Sequence, residues 1–404
     1  MSIAPQRPKW QSILTDRERF NRQMHYLPVD RCVNREFGFW AENFEQWPIF
    51  KENGITGNGQ VDAFFNFDSM AGVGGAIWML PPLEQIVLEE REQTRIVRDA
   101  NGLICEIPKD GHSTIPHYLR STIETPDDWK RMKKEHFDPD HPGRKVDVEA
   151  LKKRFPPDRD FPVGVYCGSM IGRIRDLLTI EGLSYAVYDY PAMVEDMVET
   201  ACVLVETFLD QVLGQIDFDF ASGWEDICFN HGPLLSLDFF RNIVAPRYKR
   251  IGDRLHAHGI DIWYTDCDGD VRPLIPIFLE CGINTMFPYE VHCSAHPGEV
   301  LDEFGKDLRI LGGVDKMVLK QGREPIRRYL ESIAPWVERG GFIPHCDHRC
   351  PPDVDWRDYL YYLDLKEAMF GIPSPLPADG ASGPVVRVRP APAAPGKASL
   401  QSET

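Results

Sequence analysis

The residues best suited to chemistry in this 404-residue sequence gather in two short stretches, "YTDCDGD" (264–270) and "HCDHRC" (345–350). In the first, Asp266 and Asp268 follow the apolar run "IDIW" directly. Positions i and i+2 of a strand face the same side, so both carboxylates point one way. Two ionised carboxylates that close would push one pKa upward unless a cation, Lys316 or a shared proton relieved them. The gathered charge therefore holds a cation or manages protons, or else it bonds backbone amides of the following loop. In the second stretch His345 and Asp347 face one way and Cys346 and His348 the other, so half of the cluster at most converges. His348 closes the run "GFIPHCDH" and is the member that stands at a strand end.

These residues need a frame, and the hydrophobic pattern suggests one. Eight short β-rich runs alternate with helical patterns: 31–38, 61–68, 162–168, 216–226, 260–270, 283–290, 308–315 and 341–348. Between them lie helices such as 189–213, where Val194, Met197, Val198, Ala201, Leu204, Phe208 and Val212 recur at helical spacing. Pro246 should kink or split a second helix, 236–259. Eight strands with intervening helices predict an α/β fold of the (β/α)8 TIM-barrel type, with its site at the C-terminal strand ends. Ionisable residues fall at those ends: Arg35 and Glu36, Asp68, Glu225 and Asp226 beside Trp224, Asp266 with Asp268 and Asp270, Glu290, Asp315 and Lys316, and Asp347 and His348. Lys316 could pair with Asp315 or offer a cation to a carboxylate substrate.

Residues 1–30 read as an N-terminal arm and 31–371 as the barrel. A hairpin turning at "DANG" lies in an insertion, 85–160, after the second strand. The proline- and alanine-rich segment 372–404 reads as a disordered tail. "AGVGG" (71–75) lacks the Lys-Ser/Thr of a phosphate loop and reads as a flexible loop over the site. A formal net charge of −17 argues against nucleic-acid or anionic-membrane partners. No signal-peptide core or long apolar run is visible, which predicts a cytoplasmic protein. The ten scattered cysteines fit reduced core residues better than a disulfide framework.

From about residue 15 to 371 the chain resembles the uroporphyrinogen decarboxylase superfamily, which also contains methyltransferases that serve corrinoid proteins and thiols. The resemblance rests on "TDRERFNRQMHYLPVDR", "RCVNREFGFW", "GGVDK" (312–316) and "DHRCPPDVDWRDYLYYL" (347–363), in that order. Where true decarboxylases carry Arg-Gln-Ala-Gly-Arg to hold a tetrapyrrole's carboxylates, this chain has Arg35-Glu36-Phe37-Gly38-Phe39. One cation is lost and a carboxylate has entered, which disfavours a polyanionic substrate. Asp68 resembles the aspartate that faces the pyrrole nitrogens, and His348 the histidine before a Pro-Asp pair.

The methyltransferase branch uses zinc held by a His-x-Cys pair and a further Cys, and the matching positions here are Asp266, Asp268 and His348. Carboxylate and imidazole ligands are acceptable to zinc. The resemblance thus implies a methyltransferase moving a methyl group between a small methylated substrate and a thiol or a corrinoid on a separate partner protein. In that reading Asp266, Asp268 and His348 hold a metal or serve as acid, while Arg35, Glu36, Asp68, Glu225, Glu290 and Lys316 surround the substrate. Two other expectations stand beside it. One is a cofactor-free decarboxylase of an aromatic or pyrrolic acid, using Asp68 with Arg35 or Lys316; the other is a non-catalytic binding barrel. A homodimer is suggested by the resemblance alone.

Overall fold

The computed structural model describes residues 4–109 and 116–376. Thirteen strands occur among them: β1 (Ala71–Val73), β2 (Ile86–Glu90), β3 (Thr94–Arg98), β4 (Ile104–Pro108), β5 (His117–Arg120), β6 (Val163–Tyr166), β7 (Phe220–Trp224), β8 (Cys228–Phe229), β9 (Gly232–Pro233), β10 (Trp263–Asp266), β11 (Thr285–Phe287), β12 (Arg309–Val314) and β13 (Phe342–Cys346). Seven form one central sheet in the order β1-β6-β7-β10-β11-β12-β13, with every pair parallel. Helices connect most of these strands, an arrangement consistent with a barrel-like α/β fold. β2 to β5 make a separate antiparallel sheet. Its β3–β4 pair is the hairpin expected around "DANG".

Six of the eight expected strands contain the observed β6, β7 and β10 to β13. The first does not form a ladder. Its backbone N–H groups find other partners: Val33 donates to Gln23 Oε1, Asn34 to Asp68 Oδ2 and Cys32 to the Phe370 carbonyl. Side chains that satisfy the main chain this way compete with strand pairing. A single parallel bridge, Phe39 with Cys350, ties the segment to the chain just beyond β13.

Residues 61–68, expected as the second strand, belong instead largely to a helix, Asn58–Phe65. It buries Val61, Phe64 and Phe65 on one face and stops at Asn66, whose left-handed backbone (φ 58°) ends the helix. In so short a run the apolar residues fit either period. The strand that does occupy this place, β1, lies inside the "AGVGG" expected to be a flexible loop. Gly75 just after it passes so close to Phe208 that a Cβ would stand 2.3 Å from Cδ2 of that ring.

The helix Pro191–Val212 buries all seven residues expected on its inner face. Pro246 falls in the first turn of Ala245–Ala257, and the widened turn Phe240–Val244 before it absorbs the missing N–H. A compact apolar cluster joins Phe220, Ile262, Leu311 and Ile343, near the beginnings of their strands, with Val33 and with Phe20 and Met24 of the helix Asp16–Met24. That plug leaves the opposite strand ends for polar groups. Among the described residues no helix is long and apolar enough to cross a membrane. Of the expected tail, 377–404 lies outside the described residues.

Candidate functional site

β7, β10 and β11 finish level, since Asp266 pairs in register with both Trp224 and Phe287. The chain leaves β10 through Asp266, Cys267 and Asp268 and turns at Gly269, whose positive φ (84°) suits glycine. It leaves β7 through Glu225 and Asp226, and β13 through Asp347 and His348. This brings Asp226, Asp266, Asp268 and His348 within electrostatic reach of one another.

Asp266 is half-buried, and among the described residues its carboxyl has neither a hydrogen bond nor an ion pair. Burial, then the charges of Asp268 and Asp226, push its pKa up to about 8 against the weaker pull of His348 and Arg349. Its carboxyl is thus mostly protonated at neutral pH. Asp268 Oδ2 lies 3.2 Å from His348 Nε2, while its Oδ1 is buried with no hydrogen-bond partner among the described residues. For His348, burial opposes the charged ring, but the hydrogen bond and charge of Asp268 outweigh it and the net shift is upward. The imidazole stacks on Trp40 at 5.2 Å and meets the Phe37 ring at 5.7 Å. A neutral acid therefore stands beside a bonded aspartate–histidine pair, at the ends of β10 and β13.

The other expected site residues are engaged with partners of their own, and Asp68 stands not at the C-terminal end of a strand but just before β1, on the side of the helix Asp16–Met24. Both oxygens of Asp68 take hydrogen bonds of 2.8 Å from Arg31, the Asn34 amide adds one at 3.0 Å, and Arg19 lies at 3.6 Å. Burial raises its pKa, yet these partners win and hold it below the usual carboxylate range. Arg35 pairs with Asp62 at 2.9 Å and donates to the Asp68 carbonyl. Glu36 is buried against Lys366 (2.7 Å), the Tyr362 hydroxyl (2.8 Å) and the Cys346 amide. Glu225 accepts the amides of Met170, Ile171 and Gly172, at 2.6 to 2.9 Å, together with the Tyr248 hydroxyl. It therefore fills the N-terminal end of the helix Gly172–Asp189. Glu290 accepts from the Gly269 amide and pairs with Lys316. The Lys316 amide donates to Asp347, whose own pKa burial pushes to about 7.

Zinc, expected from the resemblance, would need these donors to converge. Among the described residues no group of three or more His, Cys, Asp or Glu side chains is gathered as a metal site. Asp268 and His348 bond to each other, and Asp266 makes no hydrogen bond to either. As placed, the set suits proton transfer and does not fit a zinc site.

Two cavities open here. One of about 130 Å³ runs inward past Arg35, Glu36, Phe37, Tyr264, Phe287 and His345. Another of about 190 Å³ lies beyond β1 and β6, lined by Ile77, Trp78, Tyr166, Ser169 and Arg173. Asp226 was expected only as one of the strand-end acids, and Tyr166 and Arg173 were not among the expected site residues. Asp226 had a sequence signal, as the second acid of "GWED" at a strand end, whereas Arg173 had none.

No family model matches the chain, and no curated protein matches its sequence. Its structure is similar to that of a methyltransferase from Methanosarcina mazei. The TM-score is 0.52 at 12% sequence identity, and the match covers 88% of this chain and 99% of that one. At that identity the likeness is one of fold, and it agrees with the α/β architecture described above.

Proposed function

We propose that the protein is a barrel methyltransferase that uses Asp266 as a general acid, taking a methyl group from a small methylated substrate to a thiol or to a corrinoid on a separate protein. The neutral, unpartnered carboxyl of Asp266 is the observation that carries this reading. When the methyl carbon bonds to the acceptor and its bond to oxygen or nitrogen breaks, the leaving atom gains an electron pair. Asp266 gives that atom its proton and is left as carboxylate, to be reprotonated from solvent. His348, bonded to Asp268, pulls the Asp266 pKa downward and so favours the carboxylate once the proton has left. No step here runs through a metal.

The same proton could quench the carbanion left by decarboxylation. That reading, however, puts ring stabilisation on Asp68, which Arg31 and Arg19 already hold, and substrate binding on Lys316, which Glu290 holds. Methyl transfer is favoured for that reason. The likeness in fold to a methyltransferase supports it without deciding substrate or acceptor.

The test is turnover of a panel of methoxylated, methylamine-like and halogenated compounds with thiol and corrinoid-protein acceptors, by wild type and Asp266→Asn. Methyl transfer lowered about 100-fold by the substitution is expected, the scale of a lost general acid. Carbon dioxide release without methyl transfer would favour the decarboxylase. Binding with no turnover of any compound would leave a binding barrel.

A further inference from the structure

Two arginines of the helix Gly172–Asp189 lie over the same ring, Trp224, with their guanidinium carbons 5.4 Å (Arg173) and 5.3 Å (Arg175) from its centroid. They differ in charge balance. Arg175 pairs with Asp176 and Asp226. Arg173 makes no ion pair among the described residues, although this chain carries a net charge of −17 and acids stand close by. It lines the 190 Å³ cavity together with Trp78 and Tyr166. The Trp78 indole N–H is buried and has no hydrogen-bond partner among the described residues. Tyr166 stands beside Arg173 and lies within electrostatic range of Asp266.

We propose that this cavity is a subsite for the carboxylate end of a planar organic acid, with Arg173 as the residue that selects for the anion. The proposal rests on the acid–base reading of the same strand ends and names its substrate class. A guanidinium flattened on an aromatic ring presents its fork to a carboxylate in two parallel hydrogen bonds. An apolar cavity of about 150 Å³ holds a benzene ring, so 190 Å³ takes one ring and its carboxylate. The N-terminal amides of the helix take no part, since Glu225 already occupies them. Held this way, the acid would carry its methylated heteroatom at the end away from the carboxylate, towards Asp266.

Calorimetric titration of the full chain with sodium benzoate and, separately, with the neutral isostere benzamide tests this without substrate or acceptor. Wild type is expected to bind benzoate at least tenfold more tightly than benzamide, and Arg173→Met to lose that preference. Equal affinity of wild type for the two probes overturns the proposal with no variant needed, and so does a preference that survives Arg173→Met. Asp266→Asn separates the two claims. If the acid reading fails, turnover survives this substitution while the benzoate preference stands; if the subsite fails, turnover falls and the preference is absent from wild type.

Discussion

Asp68 and Asp266 are both carboxylates shielded from water, one just before β1 on the side of the helix Asp16–Met24 and the other at the end of β10, and burial pushes the pKa of each upward. Their outcomes are opposite. Asp68 is clasped by Arg31 and approached by Arg19, so it stays an anion below its usual range. Asp266 meets two further carboxylates whose charges outweigh the pull of His348 and Arg349, so it keeps its proton to about pH 8. Burial by itself does not make an acid; the sign of the neighbouring charge decides which carboxylate can give up a proton at neutral pH. Glu225 shows a third outcome, in which backbone amides and Tyr248 occupy a fully buried carboxyl and leave it no proton-transfer partner.

The contrast breaks most sharply at Asp68. Asp68→Asn would leave Arg31 and Arg19 buried without their anion, at a cost of about 3–5 kcal/mol. Urea denaturation should show that loss, and an unchanged midpoint would mean that the clasp is not structural. At Asp266 the same exchange should spare the fold and lower methyl transfer about 100-fold.

Stability should move the other way at Asp266, and the sign follows from linkage. A carboxyl whose folded pKa lies above its unfolded one gives up stability as pH rises from about 4 through about 8. Asp266→Asn is therefore expected to raise the melting temperature at pH 9 and to change it little at pH 4, the reverse of Asp68→Asn. Wild-type turnover should fall as pH rises through about 8, because the acid form disappears there. A rate that climbs across that range would mean Asp266 acts as base and not as acid. The smallest effect is expected from Asp226→Asn, which removes one of the two charges that keep Asp266 protonated. It should shift the alkaline limb of the pH profile downward, and a limb that stays in place would remove Asp226 from the cluster.

Much of the sheet was legible before any coordinates. The apolar runs ending at Trp224, Asp266 and Cys346 are long enough to mark β7, β10 and β13, and their polar ends already pointed to Asp266, Asp268 and His348. β1 was not legible, since three residues among glycines carry almost no hydrophobic signal. The first expected strand failed for a different reason: Gln23 and Asp68 supply the hydrogen bonds that a neighbouring strand would have made.

Sequence alone settled which residue types stand at the strand ends, because side-chain alternation and strand length are local properties of the chain. It could not settle their protonation. Arg31 and Asp68 are 37 residues apart, and Asp226 and Asp266 are 40 apart, so partner and rival charges meet only when the sheet assembles. A carboxyl's affinity for its proton is set by charges a few ångströms away and by the water excluded around it, and both are products of packing. The same holds for Arg173, which has no ion pair among the described residues, a property of the folded surroundings and of nothing in its own stretch of sequence.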